Sequence, residues 1–166
     1  MAIVSTKELF LTEFDQEMAT TRKILERVPF EKFDWVPHAK STPLGRLANH
    51  VATMPRFAPH VIDEEKFVMT RTAPLDVKST ADIVAAFDDL AAKARASLAA
   101  TTDENLAGEW EFLFGEQLLF KGSRAAAYRS FFMDHLIHHR AQLGVYLRLN
   151  DVAIPGSYGP SADEPM

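Results

Sequence analysis

Apolar residues recur at steps of three and four along four stretches of the chain, which is the spacing of amphipathic α-helices. The first stretch begins at "STKE", where Ser5 and Glu8 have the spacing of a capping box. The sequence therefore predicts a helix that starts at Ser5 and ends before Pro29. Its core-facing stripe consists of Leu11, Phe14, Met18, Thr21, Leu25 and Val28.

The second and third stretches also predict helices. "STP" at 41–43 predicts a Ser/Thr cap with Pro43 at the first helical position. Because an interior proline removes a backbone hydrogen bond, this helix is expected to bend at Pro55 and to run to about Val61. Thr80 is the expected cap of the third helix, whose apolar stripe consists of Ile83, Phe87, Leu90, Ala94 and Leu98.

The last third of the chain combines a strand-like segment with the longest helix. Residues 109–120 alternate in part and are broken at Gly115, which fits a small hairpin or an extended loop. Ser123 is the expected cap of a helix over 124–149, and the tail beyond it is rich in proline and glycine. The pattern predicts one domain over residues 1–166, an all-α four-helix bundle with a short extended or hairpin insert before the last helix.

Charge and composition narrow the function classes. The net charge of −5 and the absence of a Lys/Arg-rich run argue against a nucleic-acid surface, which needs a basic patch. No apolar stretch approaches the roughly 18–20 residues of a membrane span. The start "MAIVSTKELF" lacks the basic and apolar regions of a signal peptide, so we expect a cytoplasmic protein. With no cysteine, any metal must bind His, Asp or Glu, which favours zinc, nickel, iron or manganese.

Three of the six histidines lie within "DHLIHHRAQL" on the last predicted helix. At about 100° per residue, His139 lies about 40° from His135, so both lie in the middle of the predicted apolar stripe, one turn apart, and can chelate one ion. His138 falls at the edge of the stripe. His50 lies on the apolar side of the second helix and is the candidate third ligand. The alternative is that these are core histidines, each satisfied by hydrogen bonds.

These motifs resemble a known family. "LGRLANHVATMPRF", "DHLIHHRAQLGVYLRL" and the tail "GSYGPSADE" are similar to the DinB-like superfamily of metalloenzymes, and the resemblance covers most of the chain. In that family one histidine of the first half and an HxxxH pair ending in "HHRGQ" bind a divalent metal. These positions match His50, His135 and His139, while Ala141 replaces the family's usual glycine. The resemblance implies a metal-binding four-helix bundle that is commonly a homodimer.

The same resemblance implies a small-molecule enzyme. Characterised members include S-transferases that use a low-molecular-weight thiol and a thiol-dependent isomerase, so we expect an S-transferase or a hydrolase. A non-catalytic metal- or ligand-binding helical dimer, with a stress-related role, is the alternative. The catalytic residues stay unassigned because the sequence has no second catalytic motif. Candidates for a group near the metal are His138, Gln142, Asp134 and Asp15, although the two aspartates are expected on polar faces.

Overall fold

The computed structural model describes residues 4–70 and 75–164, and these form a helix-rich chain with one small sheet. The helices are α1 (Thr6–Leu25), α2 (Leu44–Thr53), α3 (Phe57–Asp63), α4 (Thr80–Ala100), α5 (Asp103–Ala107), α6 (Arg124–Ala127) and α7 (Asp134–Leu149). The strands are β1 (Lys66–Met69), β2 (Glu109–Phe114) and β3 (Gln117–Ser123). The helix-rich class is as predicted, but the three-stranded sheet shows that an all-α class is too narrow. The four-helix-bundle arrangement and the single domain stay predictions.

The N-terminal capping box is confirmed. The Glu8 backbone N–H donates to Ser5 Oγ at 3.1 Å, and the Ser5 N–H donates to Glu8 Oε2 at 3.0 Å. This reciprocal pair satisfies two donors that the first turn of a helix otherwise leaves unpaired. α1 ends at Leu25, before Pro29 as predicted.

The predicted bend of the second helix is confirmed, but its predicted cap is wrong. A 3₁₀ turn over Met54–Arg56 separates α2 from α3 at Pro55. Pro43 precedes the helix in an extended conformation, and no side chain caps the first turn. The cap of the third helix lies one residue before the predicted Thr80. The hydroxyl of Ser79 caps this helix by accepting a hydrogen bond from the Asp82 N–H. Thr80 is the first helical residue, and its hydroxyl donates to the backbone carbonyl of Val28, just beyond the end of α1, at 2.7 Å.

Of the hairpin and the extended loop that the sequence left open around Gly115, the structure forms the hairpin, and it belongs to a larger sheet. β2 and β3 pair antiparallel, and β1 pairs in parallel with β2, with Lys66 opposite Glu111. Gly115 has a φ of +58°, a conformation that side chains with a Cβ rarely adopt. β1 was not predicted because its pairing partner lies more than 40 residues away along the chain.

The last helical segment spans residues 124–149 as predicted, but it is not one regular α-helix. Ser123 caps it as predicted, since its hydroxyl accepts from the Ala126 N–H. A π-helical turn, Tyr128–Met133, joins α6 to α7. The residues of this segment that are fully buried in the hydrophobic core are Ala127, Tyr128, Phe132, Met133, Leu136, Leu143 and Leu147. Within the described residues, no helix is long and apolar enough to cross a membrane.

Candidate metal centre

α2 and α7 bring the three predicted histidines together. The distance between the Nε2 atoms of His135 and His139 is 2.8 Å, and the Nε2 atoms of His50 and His135 are 3.5 Å apart. One nitrogen of each ring lies within 4.8 Å of the others. The i, i+4 spacing on α7 places two rings one turn apart, and the packing of α2 against α7 brings the third.

The three histidines are only half-buried, so the prediction that His135 and His139 lie in the middle of the apolar stripe of α7 is wrong. The fully buried residues of α7 are Leu136, Leu143 and Leu147. Successive residues are rotated by about 100° around the axis of α7, so the centre of this buried face lies about 100° around the axis from His135. The rings of His135 and His139 therefore flank the core, and a site formed by them is accessible to small molecules.

One hydrogen bond determines which nitrogen of His139 carries a proton. His139 Nδ1 contacts Gln142 Oε1 at 2.7 Å, and because this oxygen only accepts, Nδ1 is the donor. The Nε2 atom of His139 then presents its lone pair to His135 Nε2 across 2.8 Å. A metal ion held by the triad needs such a lone pair directed toward the other two rings.

Two of the nitrogen–nitrogen separations in the triad fit one transition-metal ion. Two nitrogens, each about 2.0–2.1 Å from a zinc ion, are about 3.3 Å apart at a tetrahedral angle and about 2.9 Å apart at a right angle. The observed separations of 2.8 and 3.5 Å lie close to these two values. Three imidazoles without a thiolate suit zinc, nickel, iron and manganese, so the donor set agrees with the geometry.

Burial keeps the rings neutral and able to bind a cation. Burial, followed by the neighbouring rings of His139 and His135, lowers the pKa of His50 to about 4. Burial also lowers the pKa of His135, against the opposing effect of the Phe131 carbonyl. Because only a neutral imidazole has a free lone pair, these two rings are in their metal-binding form at neutral pH.

Two openings meet at His50. The first, the polar cleft, has a volume of about 480 Å³ and is lined by Phe33, Asp34, Pro43, Gly45, Arg46, Asn49, His50, Thr53, Arg56 and Leu75. The second, the aromatic cavity, has a volume of about 500 Å³ and is lined by His50, Thr53, Met54, Arg56, Phe57, His60, Phe67, Met69, Thr70, Phe112, Phe131 and His135. The triad therefore lies between a polar and an apolar space.

Comparison with known proteins agrees with this architecture. The sequence model of the DinB superfamily matches residues 13–143. The chain belongs to the DinB superfamily. A DinB-like protein from Bacillus cereus has a similar fold, with 21% identity, a TM-score of 0.74 and coverage of 94% of this chain and 100% of that one. A DinB-like protein from Bacillus subtilis has 22% identity, a TM-score of 0.67 and coverage of 95% and 99%. No curated protein matches the sequence significantly.

The other candidate residues of this DinB-superfamily chain take different places. His138 is exposed, and its ring lies 4.9 Å from that of His139. Asp134 pairs with Arg129, and Asp15 pairs with Arg95, so both aspartates belong to the polar surface as expected. Gln142, the remaining candidate, forms a hydrogen bond with His139.

Three residues of functional interest were not assigned from the sequence. Phe131 packs against the hydrophobic core and also lines the aromatic cavity. His60 lines the same cavity, with its Nδ1 2.7 Å from Glu64 Oε1. Arg56 lines both openings. Pro55 is the feature of the sequence that bears on these residues. It interrupts the helix, so the side chains that follow it do not continue the helical spacing of α2.

A buried ion pair fixes α7 against α1 directly beside His139. Arg140 Nη1 lies 2.6 Å from Glu17 Oε2, and the two side chains are only 3% and 8% exposed. Arg140 also donates to Thr21 Oγ1 and to the hydroxyl of Tyr158, which in turn donates to Glu17 Oε1 at 2.8 Å. This network, here called the Arg140 network, ties the C-terminal tail and α1 to the helix that carries two of the three histidines.

Proposed function

We propose that this DinB-superfamily chain is a metal-dependent enzyme in which His50, His135 and His139 hold one divalent transition-metal ion. The observation that supports this proposal is the convergence of three imidazole nitrogens, with the Nε2 lone pair of His139 directed at His135 Nε2 across 2.8 Å. Zinc or nickel is the proposed ion, with iron or manganese as alternatives.

Half-buried ligands beside two openings favour a catalytic centre over a structural one. Structural zinc sites are usually closed by four protein ligands, whereas catalytic sites keep a position for water or substrate. When bound, such an ion supplies a Lewis acid and lowers the pKa of its water, or of a substrate thiol, toward neutrality. The chain itself orients the His139 ring through Gln142, and aromatic side chains line one side of the site.

The proposed reaction is transfer of a low-molecular-weight thiol to a small electrophilic substrate, with hydrolysis of a small molecule as the alternative. Two openings that share His50, Thr53 and Arg56 support the transfer reaction, because two substrates can approach the same centre from different sides. The lack of cysteine also supports it, since the sulfur nucleophile must then come from a cosubstrate.

A paired assay tests the proposed activity. Zinc- and nickel-loaded protein is mixed with a thiol such as glutathione, cysteine or coenzyme A, and with 1-chloro-2,4-dinitrobenzene, from which the thiolate displaces chloride. Ester hydrolysis is followed separately with p-nitrophenyl acetate. We expect turnover in the first assay that is lost with chelator and in His139→Ala, and retained in His138→Ala. Turnover that is equal in His139→Ala, or absent in both assays, contradicts the proposed activity.

The homodimer stays a prediction from the family resemblance. Light scattering coupled to gel filtration measures the mass directly, and a value near twice 18.6 kDa supports a dimer. If the metal is present but neither assay shows turnover, the non-catalytic metal- or ligand-binding alternative is favoured.

A further inference from the structure

Four phenylalanine rings form the apolar wall of the aromatic cavity. The ring centroids of Phe57 and Phe67 are 5.1 Å apart at 75°, and those of Phe112 and Phe131 are 5.1 Å apart at 70°. The Phe57 and Phe112 rings, with centroids 5.7 Å apart at 81°, join the two pairs. Aromatic side chains prefer such edge-to-face contacts, so the four rings stabilise one another in this arrangement. The wall therefore presents both edges and faces of phenyl rings to the cavity.

The rest of the fold supports this wall from behind and leaves part of it accessible. Phe112 is only 7% exposed, and the centroid of its ring lies 6.2 Å from that of the fully buried Trp110. The Trp110 indole N–H donates to the backbone carbonyl of His60 at 3.0 Å, which attaches β2 to α3. The other three phenylalanines of the wall are only half-buried. Part of their surface is therefore open to a ligand.

The hydrogen-bonding groups of the cavity are mostly used within the protein. The Thr53 hydroxyl donates to the backbone carbonyl of Asn49 at 2.9 Å, and His60 Nδ1 lies 2.7 Å from Glu64 Oε1. None of the described lining residues is acidic. Arg56 also lines the cavity but has an interaction of its own, and no ligand contact is assigned to it. This environment favours a ligand that binds through its apolar surface, because buried polar groups of a ligand would need partners.

The aromatic cavity also reaches the candidate metal centre. His50 and His135 line it together with the four phenylalanines. Phe131 precedes His135 by four residues and belongs to the π-helical turn that leads into α7. A ring bound among the phenylalanines therefore lies in the same space as two of the proposed metal ligands.

From this combination we propose that the aromatic cavity binds the aromatic ring of the electrophilic substrate, so that the substrates are aryl rather than aliphatic electrophiles. Its volume of about 500 Å³ falls within the range of about 300–1,000 Å³ typical of small-molecule sites. In the transfer, the thiol loses its proton to solvent and its sulfur forms a bond to a ring carbon. The bond from that carbon to the leaving group breaks, and the leaving group departs as an anion with the electron pair. The substrate role rests on the proposed function, whereas binding of the ring is measured without turnover.

Two ligands of matched shape test whether the cavity recognises a ring. 2-Naphthamide is aromatic, and decahydronaphthalene-2-carboxamide has the same amide on a saturated skeleton with at least as much apolar surface. A cavity that acts through apolar burial alone binds both equally well. Because contacts between aromatic rings add to burial, we expect 2-naphthamide to bind one site about threefold or more tightly by isothermal titration, in metal-free and zinc-loaded protein alike. Equal affinities, a preference for the saturated ligand, or no saturable binding in either sample each refute the proposal.

Two variants remove a ring from the wall and keep an apolar side chain. Phe57→Leu and Phe67→Leu are each expected to weaken 2-naphthamide about threefold to tenfold and to change the saturated ligand less than about twofold. The control Phe114→Leu replaces a ring that is 55% exposed and does not line the cavity, so it should change neither affinity. Equal losses for the two ligands in both ring variants would reflect packing alone and would refute ring recognition.

Turnover distinguishes failure of this inference from failure of the proposed function. At a fixed thiol concentration, Phe67→Leu is expected to raise the KM for 1-chloro-2,4-dinitrobenzene about threefold or more and to leave kcat/KM for the aliphatic iodoacetamide within about twofold. Metal content is measured on the same samples. Equal losses toward both electrophiles refute the aryl assignment and leave the metal-dependent transfer in place. Ring-selective binding without any turnover supports the ring site and contradicts the transfer reaction.

Discussion

Breaking the Arg140 network is expected to destabilise the chain severely. Arg140→Met removes one member of an ion pair whose side chains are 3% and 8% exposed, and leaves the Glu17 carboxylate buried with the Tyr158 hydroxyl as its remaining partner. Removing one partner of a buried ion pair costs about 3–5 kcal/mol, because an uncompensated charge stays in the interior. With a urea dependence of about 2 kcal/mol/M for unfolding, the midpoint falls by about 1.5–2.5 M.

Urea unfolding followed by circular dichroism measures this loss, with chelator present so that metal binding does not contribute. The double variant Glu17→Met with Arg140→Met is expected to recover most of the stability, because two apolar side chains of similar volume leave no buried charge. The control Arg95→Met breaks a pair that is 50% and 48% exposed and should cost less than about 1 kcal/mol. A midpoint for Arg140→Met within about 0.5 M of the wild type, or a double variant no better than the single one, refutes this explanation.

Three further predictions concern the metal ligands and the close approach of α2 to its connector. Gln142→Ala frees His139 Nδ1 and should weaken zinc binding about 10- to 100-fold by competition titration, whereas an unchanged affinity would show that Gln142 does not orient the ring. Gly45→Ala places a Cβ 2.5 Å from the Phe33 ring and should cost about 1–3 kcal/mol in urea unfolding, unlike Gly144→Ala, whose nearest atom is 3.9 Å away; equal stabilities would contradict this close contact. Because the folded pKa of His50 lies near 4, below the unfolded value of 6.5, metal-free protein should lose stability as the pH falls from about 6.5 to about 4. His50→Gln should show a shallower loss over this range, and an identical pH profile would refute the assignment.

The features predicted correctly from the sequence are the ones that depend on neighbouring residues. Ser5 and Glu8 are three positions apart, and their reciprocal hydrogen bonds follow from the geometry of one turn. Gly115 marks the hairpin because its backbone conformation is local. The His135–His139 pair likewise follows from helical spacing. His50 was predicted as the third ligand from its position on the apolar side of α2 and from the family resemblance.

The features that were missed depend on contacts between distant segments. β1 exists because residues 66–69 pair with residues 111–114, and four residues alone carry no clear strand pattern. Arg140 looks like a surface residue until Glu17, 123 positions earlier, is brought beside it. The aromatic cavity is likewise assembled from phenylalanines on α3, β1, β2 and the π-helical turn, which no single period relates.

Helical spacing correctly predicted that His135 and His139 lie one turn apart on α7, but the sequence pattern assigned the wrong face of this helix to the core. The sequence placed His135 and His139 in the centre of the apolar stripe because phenylalanine and tyrosine side chains surround them at helical spacing. In the fold, Leu136, Leu143 and Leu147 face the core, and the histidines flank it. This rotation changes the functional interpretation, because half-buried ligands beside two openings suit an accessible metal better than a closed structural site.

Metal content per chain tests the central claim most directly. Elemental analysis is performed on wild-type protein supplemented in turn with zinc, nickel, iron and manganese, and on His50→Ala, His135→Ala and His139→Ala. The triad predicts about one equivalent of one of these metals in the wild type, its loss in all three variants, and its retention in the control His138→Ala. A wild type that holds none of the four metals, or variants that keep the wild-type content, would contradict the metal centre.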